Sequence, residues 1–238
     1  MAGRGSRFAD TGYILPKPLI HVHDKPMIAW VIKNFSVGIP CDYTFVALRQ
    51  HETNFNLSNI LKKYVEAPNI VWLDEVTSGA AETCVLGTQN LPADASLVIA
   101  NSDQFIAQNL TKYMQLSMEV DGLIMTMPNS DPKWSYVSVD KSGNAVRIVD
   151  KEVISSHATT GIYSFKTVNS FVEAANQMIA SGEKTNGEYY VAPVFNRLIE
   201  TGKLIRTYDV GKKMHGIGTP SDLKKFENWI KSSQNYDN

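Results

Sequence analysis

Cysteine is scarce: the 238 residues carry two, Cys41 and Cys84, and neither belongs to a Cys-x-x-Cys pair. That excludes a disulfide framework and a cysteine-built zinc site, and it suits a reducing, cytoplasmic setting. Long apolar runs are missing too. No stretch approaches the ~18 apolar residues needed to span a bilayer, and no apolar run follows the basic, glycine-rich start to make it a secretion signal. Neither sign of charge is in excess, with 23 Lys and Arg against 24 Asp and Glu. The balance gives no reason to expect a nucleic-acid or membrane partner, so charge that grips an anionic ligand has to be local.

What is present is an ordinary globular balance, 43% apolar and 20% charged, in a chain long enough for a substantial core. Short apolar runs at 43–48, 69–73 and 95–100 read as strands. Amphipathic stretches between them, near 57–64 and 79–89, read as crossover helices. A further helix is expected through 27–32, with Asp24 as its N-cap and Pro26 in its first turn. This alternation implies an α/β fold with a mainly parallel sheet and helices on both faces. After residue 121 the texture changes to short strands at 122–127, 134–139 and 145–149, with a hairpin turn at 140–144. A strand at 159–165, helices near 168–180 and 191–200, a strand at 204–210 and a helix at 220–231 capped by Thr219 complete the pattern. No repeat or linker interrupts it, so a single domain over 1–238 is expected, with halves at 1–120 and 121–238.

Chemistry concentrates at the start. Met1-Ala2-Gly3-Arg4-Gly5-Ser6-Arg7-Phe8 is followed by Pro16-Lys17-Pro18-Leu19. Gly3 and Gly5 can bring bare backbone N–H groups against an anion, and Arg7 and Lys17 add a forked donor and a point charge. With no acidic residue before Asp10, the segment reads as a loop for a nucleoside triphosphate. Downstream, Asp103 stands just past an apolar strand, where ligands of open α/β sheets collect. A hard carboxylate there suits Mg²⁺, although an N-cap is the plainer role for such a residue.

The pattern resembles the sugar-phosphate nucleotidylyltransferases, in which a Gly-x-Gly-[Ser/Thr]-Arg loop precedes a Pro-Lys-Pro segment. The resemblance implies a three-layer, Rossmann-like fold of the GT-A type, with a nucleotide-binding half over 1–120 and an acceptor-binding half over 121–238. It implies transfer of a nucleoside monophosphate from an NTP to a small phosphorylated acceptor, for surface polysaccharide precursors, with Mg²⁺ as cofactor. By that resemblance Ala2, Gly3, Gly5 and Ser6 cradle the phosphates, Arg7 and Lys17 act on them, and Asp103 binds the metal. Gly79 and Ala80, in Thr77-Ser78-Gly79-Ala80-Ala81-Glu82, lie against the nucleobase. Lys151 takes the acceptor phosphate, and Gly161, in Thr160-Gly161-Ile162-Tyr163, and Glu188, in Gly187-Glu188, contact the acceptor. A helix cap at 77–78, a solvated Asp150-Lys151-Glu152 face and a capping Glu188 are the structural alternatives.

Two departures stand out. The family places an apolar central strand ahead of the glycine loop, whereas this sequence opens at the loop, so a truncated or misassigned start is expected. Many members also carry an Asp two residues before the Gly-Thr turn, where this chain has Gly216; Asp209 and Asp222 are the candidate substitutes. Two readings of the same fold stay open beside the enzyme: a non-catalytic nucleotide or nucleotide-sugar binder, and a glycosyltransferase. The nucleobase, the acceptor and the oligomeric state stay open as well.

Overall fold

The computed structural model describes residues 1–3, 8 and 12–233. Its strands, in chain order, are β1 His21–Val22, β2 Lys25–Pro26, β3 Thr44–Leu48, β4 Asn69–Leu73, β5 Leu97–Ala100, β6 Gln104–Ile106, β7 Gly122–Pro128, β8 Ser135–Val139, β9 Ala145–Asp150, β10 His157–Phe165, β11 Ile205–Asp209 and β12 Met214–Gly216.

β10 organises the largest sheet. One of its edges pairs with β7, which carries β11 in parallel on its far side. The other edge is shared: Ala158 pairs with β8, and Ile162–Phe165 pair with β5. Because β10 runs against β5, β7 and β8, those strands and β11 point the same way, while β10 and β9 run opposite to them. β3 and β4 form a separate parallel pair. Among the described residues, β3 pairs along one edge only and so does β5.

Side-chain alternation along β7 makes the fold three-layered. Leu123, Met125 and Met127 enter one core with Tyr113 and Met114 of the helix Thr111–Ser117. Ile124 points the other way, into a core with Phe171 and Met178 of the helix Val168–Ala180 and Phe195 of the helix Val194–Glu200. A strand apolar on both faces and covered on both is the mark of a central α/β strand. No helix among the described residues is long and apolar enough to cross a membrane.

A third core fixes the corner where the site lies. Trp30, on the helix Met27–Phe35, meets Phe105 of β6 and Phe226 of the helix Pro220–Ser232 edge-on, at 5.5 and 5.2 Å between ring centroids. His215 of β12 lies against Trp229 at 4.2 Å. Aromatic edges and faces of opposite partial charge favour such contacts beyond the area they bury. The cluster ties β6, β12 and the last helix together and so sets the position of the turn between them.

Several boundaries differ from expectation. Asp24 does not cap the first helix. Lys25–Pro26 is strand β2, paired antiparallel with β1, and Met27 N donates to Ile20 O at 2.9 Å. Local strand pairing with a turn at His23, whose φ is 60°, replaces the cap. The stretch near 57–64 is the second of two short helices, Arg49–Phe55 and Leu57–Leu61, separated by Asn56 at φ 51°. Asparagine tolerates this left-handed conformation better than other side-chain-bearing residues. The helix expected from 191 begins at Val194.

Candidate active site

Asp103 is held from both sides. As the chain leaves β5, Asn101 N donates to Gly161 O at 2.9 Å, and Gln104 Nε2 reaches the same carbonyl at 3.3 Å. From the opposite direction β12 pairs with β6, and Ile217 N donates to Asp103 O at 2.9 Å. The carboxylate so positioned accepts from Lys17 Nζ at 2.5 Å, with both side chains about a quarter exposed (25% and 28%). Gly218 closes the arrangement: a Cβ there would stand 2.5 Å from Asp103 Oδ2 and 3.4 Å from Lys17 Nζ. Only glycine leaves the carboxylate its place. Three distant segments thus meet at the carboxyl end of β5, the position where α/β sheets gather ligands.

A cavity of about 250 Å³ adjoins Lys17, lined by Gly3, Tyr13, Ile14 and Leu15 and by His51, Asn54 and Phe55 of the helix Arg49–Phe55. Among the described residues, a Cβ on Gly3 would meet nothing within 4 Å, so no described neighbour requires a glycine there. Burial lowers the His51 imidazole below its ordinary value, which keeps the ring neutral near pH 7. Ala2 is buried beside Gly3, whereas Gly5, Ser6 and Arg7 lie outside the described residues.

The donor set fits a metal that depends on its substrate. Among the described residues no three His, Cys, Asp or Glu side chains converge on one point. Asp222 Oδ2 lies 3.8 Å from where a Gly216 Cβ would be, but it accepts from Thr219 Oγ1 at 2.7 Å. Asp222 N donates to that same Oγ1 at 3.1 Å, so Asp222 serves the cap of the last helix. Asp209 Oδ1 accepts from Gly211 N at 2.8 Å within its own turn. One carboxylate completed by substrate oxygens and water matches the habit of Mg²⁺.

The segment expected at the nucleobase is bound to the segment expected at the acceptor. Tyr189 N donates to Ser78 O and Ala81 N to Tyr189 O, each at 3.0 Å. Gly79 sits between them with φ 150°, and a Cβ there would come within 2.4 Å of Tyr189 N and O. Glu82 Oε2 accepts from Ser78 N at 2.6 Å, and Ala80 begins the helix Ala80–Gly87. Asn186 and Gly187 have φ 50° and 82°, and Thr185 and Glu188 exchange two backbone hydrogen bonds of 3.0 Å across them. Positive φ at both central residues is the signature of a type I′ turn. Glu188 therefore leaves a tight hairpin rather than capping a helix. Gly161, at φ 87°, lies at a register shift in β10, and its missing side chain makes room for Asn101 Nδ2.

Lys151, at φ 61°, donates from Nζ to Lys133 O at 2.5 Å and stands 5.1 Å above the Tyr190 ring. Its neighbour Asp150 is the residue that sequence reasoning missed. Only 6% of it is exposed; Oδ1 accepts from Ser135 Oγ, while Oδ2 has no partner among the described residues. The charged run hid it, yet its place at the end of an apolar strand was the available signal. Burial raises its pKa above the ordinary carboxylate value, opposed by Ser135 and Lys151 and helped by the Glu188 charge.

A raised folded-state pKa favours the protonated form, so its contribution to stability is complete below the unfolded value and lost as pH rises through the folded one. Asp150→Asn should therefore be more stable than wild type at pH 8, with the advantage disappearing towards pH 4. Thermal melts across that range measure the effect.

The model of a family described as nucleotidyl transferase matches residues 1–232. The nucleoside-diphosphate-sugar pyrophosphorylase of Vibrio cholerae RC9 is 25% identical, covers 96% of this chain and 98% of its own, and superposes with a TM-score of 0.84. The inositol-1-phosphate CTP transferase of T. maritima shares the fold at 15% identity, with a TM-score of 0.75, 99% of this chain covered and 94% of its own. A bifunctional protein GlmU of Methanococcus maripaludis strain C5 is 21% identical over 226 residues, which is 93% of this chain and 51% of that protein. The chain spans about half the length of the curated relatives it matches.

Proposed function

The chain belongs to the nucleotidyl transferase family and is a nucleotidyltransferase, and from that premise we propose that it joins a nucleoside monophosphate from an NTP to a sugar phosphate or a similar small phosphorylated acceptor. An acceptor phosphate oxygen attacks the α-phosphorus, the bond from that phosphorus to the bridging oxygen breaks, and pyrophosphate leaves. The nucleophile is already anionic near neutral pH, so no side chain has to remove a proton. Catalysis is then positioning and charge neutralisation. The observation that carries this reading is the meeting of Lys17, Asp103 and Gly218 beside the cavity that Gly3 lines.

In this scheme Lys17 leaves Asp103 to act on the phosphates, with Arg7 and the amides of the loop from Ala2 to Ser6 holding the triphosphate tail. Gly79 and Ala80 bear on the base. Lys151 receives the acceptor phosphate, and Gly161 and Glu188 line the acceptor. A divalent cation, when bound, is held by Asp103 and offsets negative charge on the transferring phosphoryl group. Synthesis of precursors for surface polysaccharides is the role we assign to the product.

The test is a matrix of four NTPs against sugar 1-phosphates and phosphocholine, read by pyrophosphate release. One NTP and acceptor pair should far exceed the rest. Nucleotide binding without pyrophosphate from any pair would overturn the reading.

A further inference from the structure

The Lys17–Asp103 pair carries a consequence for cation binding, and it rests on the reading of Asp103 as the metal ligand. Asp103 Oδ2 is bounded by Lys17 Nζ at 2.5 Å on one side and by the Gly218 backbone on another, so close that one added carbon would touch it. Mg²⁺ or Mn²⁺ on a carboxylate oxygen sits ~2.1 Å away, smaller and more demanding than an ammonium. Both cations on one oxygen would lie within about 4.6 Å of each other in a half-enclosed site, where their repulsion is poorly screened. Among the described residues no second carboxylate relieves it: Gly216 brings no side chain, and Asp222 is engaged at its helix cap.

We propose that Lys17 and the divalent cation are alternative occupants of Asp103, and that the cation enters only as a triphosphate draws Lys17 away, or afterwards. Lys17 thus has two stations, the carboxylate and the phosphates. Its departure converts a neutral pair into an anionic site at the moment the phosphates arrive to complete the coordination. The order of binding, nucleotide before metal or together with it, follows from the ion pair itself.

The experiment is a Mn²⁺ titration followed by electron paramagnetic resonance, on the full chain without nucleotide. Wild type, Lys17→Met, Asp103→Asn and the double variant are compared. Removing the competing ammonium should tighten Mn²⁺ binding by about tenfold or more, and the double variant should lose that gain. If Lys17→Met does not fold, Lys17→Gln takes its place in the same series. Equal affinities in wild type and the Lys17 variant overturn the proposal. A gain that survives in the double variant overturns the assignment of the metal to Asp103, and the proposal with it.

Discussion

Asp103→Ala and Lys17→Ala should each reduce kcat by about 10²–10³-fold, the usual loss when one preorganised electrostatic group is removed from a transition state. The fold should survive both changes. Asp103 is positioned through its main chain, by Ile217 N at 2.9 Å and by the neighbouring Asn101 bond to Gly161 O. Those bonds remain when the carboxylate is deleted. Lys17 sits in a single 3-10 turn, Lys17–Leu19, anchored by the buried Pro18 and Leu19 rather than by its own side chain. Thermal melts close to wild type, beside a collapsed rate of pyrophosphate release, are the expected pair of results. In the proposed mechanism both side chains bear on the same phosphates, so the double variant should lose little beyond the worse single one. Near-normal turnover in either single variant removes that residue from the chemistry.

Much of the frame was legible because two periodicities carry it. Strands β3, β4, β5 and β7 are apolar runs of strand length, and the helices Val168–Ala180 and Pro220–Ser232 each show one apolar face and a Thr cap. The place of Asp103 just past an apolar strand was legible for a related reason, since the apolar run itself marks where β5 ends. What the sequence concealed depends on partners far along the chain. β6 and β12 are three residues each and pair across about a hundred positions, with no local pattern to announce them. The helix Arg49–Phe55 has one buried residue, His51, and hence no apolar stripe to detect.

Glycines were the least legible residues, because a missing side chain leaves no trace of what occupies its place. Gly218 reads as part of the Gly-Thr turn that the resemblance marks, with no sign that it borders the Asp103 carboxylate. Gly161 reads as an acceptor contact, and the fold already requires it beside Asn101. Asp150 was hidden by the opposite error: two charged neighbours made a buried carboxyl look solvated.

Gly79 and Gly3 offer the sharpest contrast, since both were expected at the nucleotide and the fold treats them differently. At Gly79, φ of 150° with ψ of 174° is a region nearly closed to other residues, and an added Cβ would overlap the Tyr189 backbone at 2.4 Å. That backbone cannot yield cheaply, because Tyr189 is bonded to both Ser78 and Ala81. Strain of ~1–3 kcal/mol and overpacking of ~1–3 kcal/mol give Gly79→Ala a loss of about 3 kcal/mol or more. For a chain of this length that is a fall in Tm of roughly 6–12 °C. Gly3→Ala meets no atom of the described residues within 4 Å, so its stability should stay within ~0.5 kcal/mol of wild type. If Gly3 instead faces the triphosphate, the KM for NTP should rise while Tm is unchanged. A Gly79→Ala protein that melts normally but binds NTP poorly would reverse the assignment, making that glycine a requirement of the ligand rather than of the Tyr189 backbone.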